Sequence, residues 1–218
     1  RMASETEIKD PTESRTEKFY LSIVRIFFSD VALAVRFTLR FFRELLLPPY
    51  EINEVARQSY VVGCKSFPLV GITGFIMGLV LTIQSRPTMA QFGAESWLPA
   101  MVSVSIVREI GPVVTALICA GKVGSGIGAE LASMKVTEQI DAMEVAGNNP
   151  FKYLVVTRTL ATTLTIPMLV IFSEVIALYG CYVGINIKGD VNFRLFLGQV
   201  IDSLDFMDVL PAFIKTFF

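Results

Sequence analysis

No histidine occurs anywhere in these 218 residues. That removes the usual proton shuttle and the commonest metal ligand. A Ser-His-Asp or Cys-His catalytic set cannot be assembled without it. Cysteine is scarce too. Cys64, Cys119 and Cys181 are scattered through apolar stretches, too far apart in sequence for a zinc site or a disulfide framework, and read as small buried apolar residues. No metal, no cofactor and no enzymatic activity are expected. Charge is sparse, at 18% of residues against 53% hydrophobic, where an average soluble domain is about a quarter charged. The formal net charge of −1 gives no pull toward a polyanion, so nucleic acid is not an expected partner.

What is present is a set of long apolar runs separated by crowded charges. Residues 1–17 are polar and aperiodic and read as a disordered tail. Arg1-Met2 places the natural start at Met2. Residues 18–47 carry an amphipathic helical pattern. Lys18, Ser22, Arg25, Ser29, Arg36, Arg40 and Arg43 fall on one face, and Tyr20, Phe27, Phe28, Val31, Ala34, Phe41 and Leu45 on the other. Basic opposite aromatic marks a helix lying in a membrane interface; packing on a soluble core is the competing reading. Pro48-Pro49 ends it.

The spans follow. Val61–Ile83 is the first, with Gly74 and Gly78 spaced for close helix approach, a common spacing and weak evidence alone. Gln84–Glu95 reads as a short polar link. Trp97–Ala120 is the second span, Tyr153–Ile187 the third, and Lys188–Asp208 an amphipathic connection. A fourth opens at Val209. A span needs ~20 apolar residues, so its remainder is expected beyond Phe218. Basic residues crowd the first 60 positions and recur at Lys122, Lys135, Lys152 and Arg158. The positive-inside rule therefore puts the N-terminus and the 121–152 link in the cytoplasm.

Two features carry function. Arg108-Glu109 stands inside the second apolar run, directly before Gly111-Pro112. Charges inside spans tend to face protein or water and to mark a transport path. The second is the link from Ala129 to Gly147, rich in helix formers. Thr137 is expected to cap a short helix with Glu138 and Asp141 in its first turn and Ile140 and Met143 as apolar anchors. Such a helix suits docking into a partner's groove or packing back on its own bundle; the residues alone favour neither. Gly121-Lys122-Val123 lacks the spacing and the following Ser or Thr of a phosphate loop, so nucleotide binding is not expected.

Arg108-Glu109-Ile110-Gly111-Pro112-Val113-Val114, Ala120–Ser125, Ala129–Val145 and Asn149–Arg158 closely resemble the MlaE/YrbE permease family. These are the membrane subunits of ABC transporters that carry phospholipid and other lipids between bacterial inner and outer membranes. The resemblance runs from about Arg57 to the end and gives a permease domain over 55–218. It implies an all-α membrane protein, with an interfacial elbow helix and a bundle of five spans, of which this chain ends within the fourth. It implies a homodimer in the inner membrane, a cytoplasmic MlaF-type ATPase that binds the ATP, a periplasmic ring of MCE-domain MlaD-type subunits, and in some systems an MlaB-like subunit.

The family's coupling helix aligns with the 129–147 link, which favours docking on the ATPase through Lys135, Thr137, Glu138, Gln139, Ile140, Asp141, Met143 and Glu144. Leu81, Met89, Phe92, Arg108 and Ile110 fall where the family lines its lipid cavity. Arg108, Glu109 and Lys215 fall on its polar membrane core. The stretch from Arg86 to Phe92 departs from the family pattern, with Pro87 at the helix end. Arg108 suits a headgroup phosphate; Glu109 and Lys215 suit an ion pair between helices. An ion-coupled carrier or channel, with Arg108, Glu109, Glu174 and Lys215 as a charge relay, is the alternative from another class. A passive membrane scaffold is a third.

Overall fold

The computed structural model describes residues 11–47, 51–187, 189, 191–204 and 206–216. Among the described residues every regular element is helical. The chain divides into two units, Arg1–Tyr50 and Glu51–Phe218.

The first unit is one helix, α1 (Pro11–Leu46). It starts at Pro11 rather than Lys18. The expected disordered tail is therefore helical over its last part, while residues 1–10 lie outside the described residues. Proline suits the first helical position, where its missing N–H is no loss. Ile26, Phe27, Phe28, Leu33, Phe37, Leu39 and Phe42 stand exposed along it, an apolar surface that water alone would not support.

The second unit is built on three helical rods long and apolar enough to cross a membrane: Ile52–Gln91, Glu95–Val136 and Lys152–Asn186. The first is α2 (Ile52–Gln91). It runs through Pro87, so most of the expected link at 84–95 is helix, and the chain turns only at Gly93, where φ is +64°. The second rod begins with a 3-10 turn, Glu95–Trp97, continues as α3 (Leu98–Ser105), widens into a π turn at Ile106–Ile110, and resumes as α4 (Gly111–Val136). It extends well past Ala120, where the apolar run stops. After α5 (Gln139–Val145) the third rod opens with a π turn, Lys152–Val156, and becomes α6 (Thr157–Asn186).

Helices α2 and α6 form the most extensive contact in the unit. Small residues make it possible. A Cβ on Gly78 would strike the Ala177 carbonyl, and one on Gly180 would strike the Phe75 carbonyl. Gly74 would meet the Ser173 carbonyl at 2.8 Å. The weak Gly74-x3-Gly78 signal thus faces a matching small-residue stripe, Ser173, Ala177, Gly180 and Gly184, and the two backbones touch. On the outer sides, Leu69, Ile72, Ile76, Val80 and Ile83 of α2 and Leu164, Met168, Ile171, Val175 and Tyr179 of α6 are exposed. Their helical spacing makes continuous apolar stripes, the surface expected to face lipid tails.

The presumed connection at 188–208 contains a helix, α7 (Phe193–Ser203), started by Asn192, whose Oδ1 accepts from the Arg194 N–H at 3.1 Å. Phe196 and Val200, one turn apart, are buried with Leu98, Val102, Ile106, Ala177, Cys181 and Ile185. The segment is therefore part of the core because these two apolar residues share one face. The last element is α8 (Phe206–Lys215).

Candidate functional site

Arg108 and Glu109, the charges of the second apolar run, lie on the π turn. Pro112 has no N–H to give to the carbonyl of Arg108 four residues earlier, so that carbonyl is orphaned in an α-helix. Lys215 on α8 takes it: its Nζ donates to the Arg108 carbonyl at 3.1 Å and to Glu109 Oε1 at 3.0 Å. Gly111 admits α6 at the same level, because a Cβ there would meet Glu174 Cγ at 3.1 Å. Arg108 and Glu109 of the second rod, Glu174 of the third and Lys215 of α8 thus gather at one wide helical turn, the kind of local irregularity often found at functional sites. The Glu109 and Lys215 side chains are 70% and 44% exposed. The pair faces outward from the unit and is not sealed in its core.

The residues expected to line a lipid path are split. Leu81 and Met89 are partly buried against the core around Phe196 and Ile106. Phe92, at the end of α2, is 79% exposed. Arg108 and Ile110 stand on the π turn. The structure brings the last two together and keeps Phe92 apart at the α2 terminus.

The link between the second and third rods is two helices rather than one. Residues 129–136 finish α4, and α5 is only Gln139–Val145. Thr137 does not cap α5. Its N–H and Oγ1 both bond back to the Ser133 carbonyl, at 3.0 and 2.8 Å, which makes it the end of α4. The break falls at Glu138, which takes a left-handed conformation at φ 57°. A β-branched threonine resists that conformation, and the hydroxyl finds its acceptor in the preceding turn. Lys135 closes the corner through Nζ bonds to both carboxylate oxygens of Asp141, at 2.8 and 3.1 Å. Ile140 and Met143 are half-buried against the chain itself. The apolar side chains facing out are Val136 and Val145, at 84% and 90% exposure, among Glu138, Asp141 and Glu144.

One further cluster escaped the sequence reading. Glu54 binds Arg57 through two hydrogen bonds, Nε at 2.9 Å and Nη2 at 2.8 Å, and accepts from Gln58 at 2.8 Å. Opposite, Arg158 pairs with Glu130 at 3.0 Å. The i, i+3, i+4 spacing of Glu54, Arg57 and Gln58 was the available signal; nothing local marked Arg158 as buried.

Residues 55–218 match the family described as Permease MlaE. The chain belongs to the MlaE permease family. A probable ABC transporter permease protein of Rickettsia typhi is 36% identical over 189 residues, covering 87% of this chain and 73% of that protein. One from Rickettsia prowazekii is 38% identical over 171 residues, 78% of this chain and 66% of the relative. The intermembrane phospholipid transport system permease protein MlaE of Haemophilus influenzae is 34% identical over 166 residues, 75% of this chain and 63% of its own length. The chain thus spans roughly two thirds of the relatives it matches. The matched MlaE region contains the π turn, both stretches of the interhelical corner and the α2–α6 contact, and it leaves α1 outside.

Proposed function

We propose that this chain is the membrane permease of an ABC transporter that moves phospholipid or a related lipid between the bacterial inner and outer membranes, driven by a separate cytoplasmic ATPase. The observation that carries the reading is α5. It is a short helix held by Lys135–Asp141 between two membrane-length rods, with acids and Val145 facing out. A motor protein can push such a rigid corner and so move α4 and α6 together. The family membership and the phospholipid-transport name of the Haemophilus relative support the substrate class. Lys135, Thr137, Glu138, Gln139, Ile140, Asp141, Met143 and Glu144 form the coupling region: the charged members meet the ATPase, while Ile140 and Met143 hold α5 to the bundle.

Lipid meets Leu81, Met89, Phe92, Arg108 and Ile110, with Arg108 suited to a headgroup phosphate and Lys215–Glu109 tying α8 to the π turn. The working form is a homodimer in the inner membrane with its N-terminus in the cytoplasm, an MlaF-type ATPase below, an MCE-domain MlaD-type ring above, and an MlaB-like subunit where the system has one. Reversing both Glu138 and Asp141 to lysine tests the coupling. The expected result is loss of ATPase co-purification from a permease that still folds in detergent. Full retention of the ATPase overturns the assignment. In reconstituted vesicles lipid moves only with ATP and the ATPase. Movement without the ATPase, driven by membrane potential, belongs instead to an ion-coupled carrier.

A further inference from the structure

Lys65 of α2 and Lys122 of α4 meet near the ends of their apolar runs. The start of α2 and the end of α4 share a cavity wall with α5, so the two lysines stand on the α5 side. The Lys122 Nζ donates to the Lys65 carbonyl and ties the rods together. Both lysines line a cavity of about 140 Å³ in this seam, with Val61, Val123 and Ile127 as apolar wall. Neither lysine meets a carboxylate among the described residues. Glu130 also lines the cavity, but its charge is matched by the buried Arg158 guanidinium at 3.0 Å. Two like charges at one small cavity repel each other, and no protein acid offsets them. The seam therefore favours an anion.

The surroundings say which kind. Lys65 heads a stripe on α2, because Leu69, Ile72 and Ile76 follow it at helical spacing and all three are exposed. A free phosphate would use the lysines and leave that stripe bare. A phospholipid uses both: lysine stems reach along apolar surface to hold a headgroup at the interface, and acyl chains cover the stripe below.

We propose that this seam holds an anionic phospholipid of the leaflet on the α5 side, with its phosphate between Lys65 and Lys122 and its chains along Leu69, Ile72 and Ile76. The site is separate from the π turn and does not depend on whether the chain transports lipid. A lipid seated there offsets the two charges and holds α2 against α4.

The test uses the full chain in an uncharged detergent. Thermal unfolding is followed with three probes: dihexanoyl phosphatidylglycerol as a soluble anionic lipid, dihexanoyl phosphatidylcholine as its zwitterionic counterpart, and inorganic phosphate replacing chloride at constant ionic strength. A saturable rise in Tm is expected with the anionic lipid, at a midpoint about tenfold or more below that of the zwitterionic one. Equal midpoints for the two lipids mean apolar adsorption only. An equal response to inorganic phosphate means a free-ion site. Either result, or no saturable shift with the anionic lipid, overturns the proposal. Lys65→Gln leaves the Lys122 bond to the backbone in place and is expected to raise the midpoint about fivefold; adding Lys122→Gln raises it roughly thirtyfold. An unchanged midpoint in Lys65→Gln also defeats the assignment. Should the double variant fail to fold, Gly126→Leu serves instead. Gly126 lines the cavity and a Cβ there meets nothing within 4 Å, so leucine fills the space and keeps both lysines. A midpoint unmoved by Gly126→Leu overturns the proposal equally.

Discussion

Proline 112 explains more of the polar centre than the charges do. It frees a carbonyl, widens the turn, and so gives Lys215 two acceptors in place of one. Glu109 and Lys215 stand 3.0 Å apart, and removing either leaves its partner uncompensated within the apolar run. Lys215→Met and Glu109→Gln are each expected to destabilise the chain. The double variant should recover part of the loss, with a coupling of about 0.5–1 kcal/mol in a double-mutant cycle of unfolding. Strict additivity would show that the two do not hold α8 to the π turn. Gly78 makes the opposite kind of demand. Gly78→Val places atoms into the Ala177 backbone and is expected to cost about 1–3 kcal/mol, read as a lower unfolding midpoint in detergent. Arg108-Glu109 was legible in the sequence because charge in an apolar run is visible. Arg158 was not, because its burial is created by α4 and α5 folding over it.

Among the elements, α5 departs furthest from its sequence reading. Helix formers from Ala129 to Gly147 suggested one capped helix. The chain instead extends α4 to Val136 and turns at Glu138, since Thr137 satisfies itself on the turn behind. A left-handed non-glycine residue costs roughly 1–2 kcal/mol. Glu138→Gly is therefore expected to stabilise the corner by about 1 kcal/mol, and hydrogen exchange should slow at the amides of 139–145. Faster exchange there would mean that the glutamate side chain supports the turn. Helix α7 departs for a simpler reason. Charged and polar residues interrupt its apolar ones, but Phe196 and Val200 share a face and enter the core. Of the apolar rods, the third keeps its expected bounds, Lys152–Asn186 against Tyr153–Ile187, while the first two overrun theirs, Ile52–Gln91 against Val61–Ile83 and Glu95–Val136 against Trp97–Ala120.

At the scale of the molecule, three membrane-length rods that each cross once would put the turn at Gly93 and helix α7 on one side and α5, with the start of α2, on the other. Single cysteines placed at Ser96, Gln199 or Asn148 in a cysteine-free background should react with an impermeant maleimide accordingly. Positions 96 and 199 label from one face of sealed vesicles and 148 from the opposite face. Labelling of all three from one face would remove the three-span arrangement.

The sequence by itself determined the solvent of this protein and its family. Apolar runs of membrane length and the motif from Arg108 to Arg158 are properties of neighbours in the chain and survive without any fold. Only the tertiary structure decided which small residues meet, which charges pair, and which two lysines come to line one cavity. Those outcomes depend on contacts between helices far apart in sequence, and no local pattern encodes the distance between them.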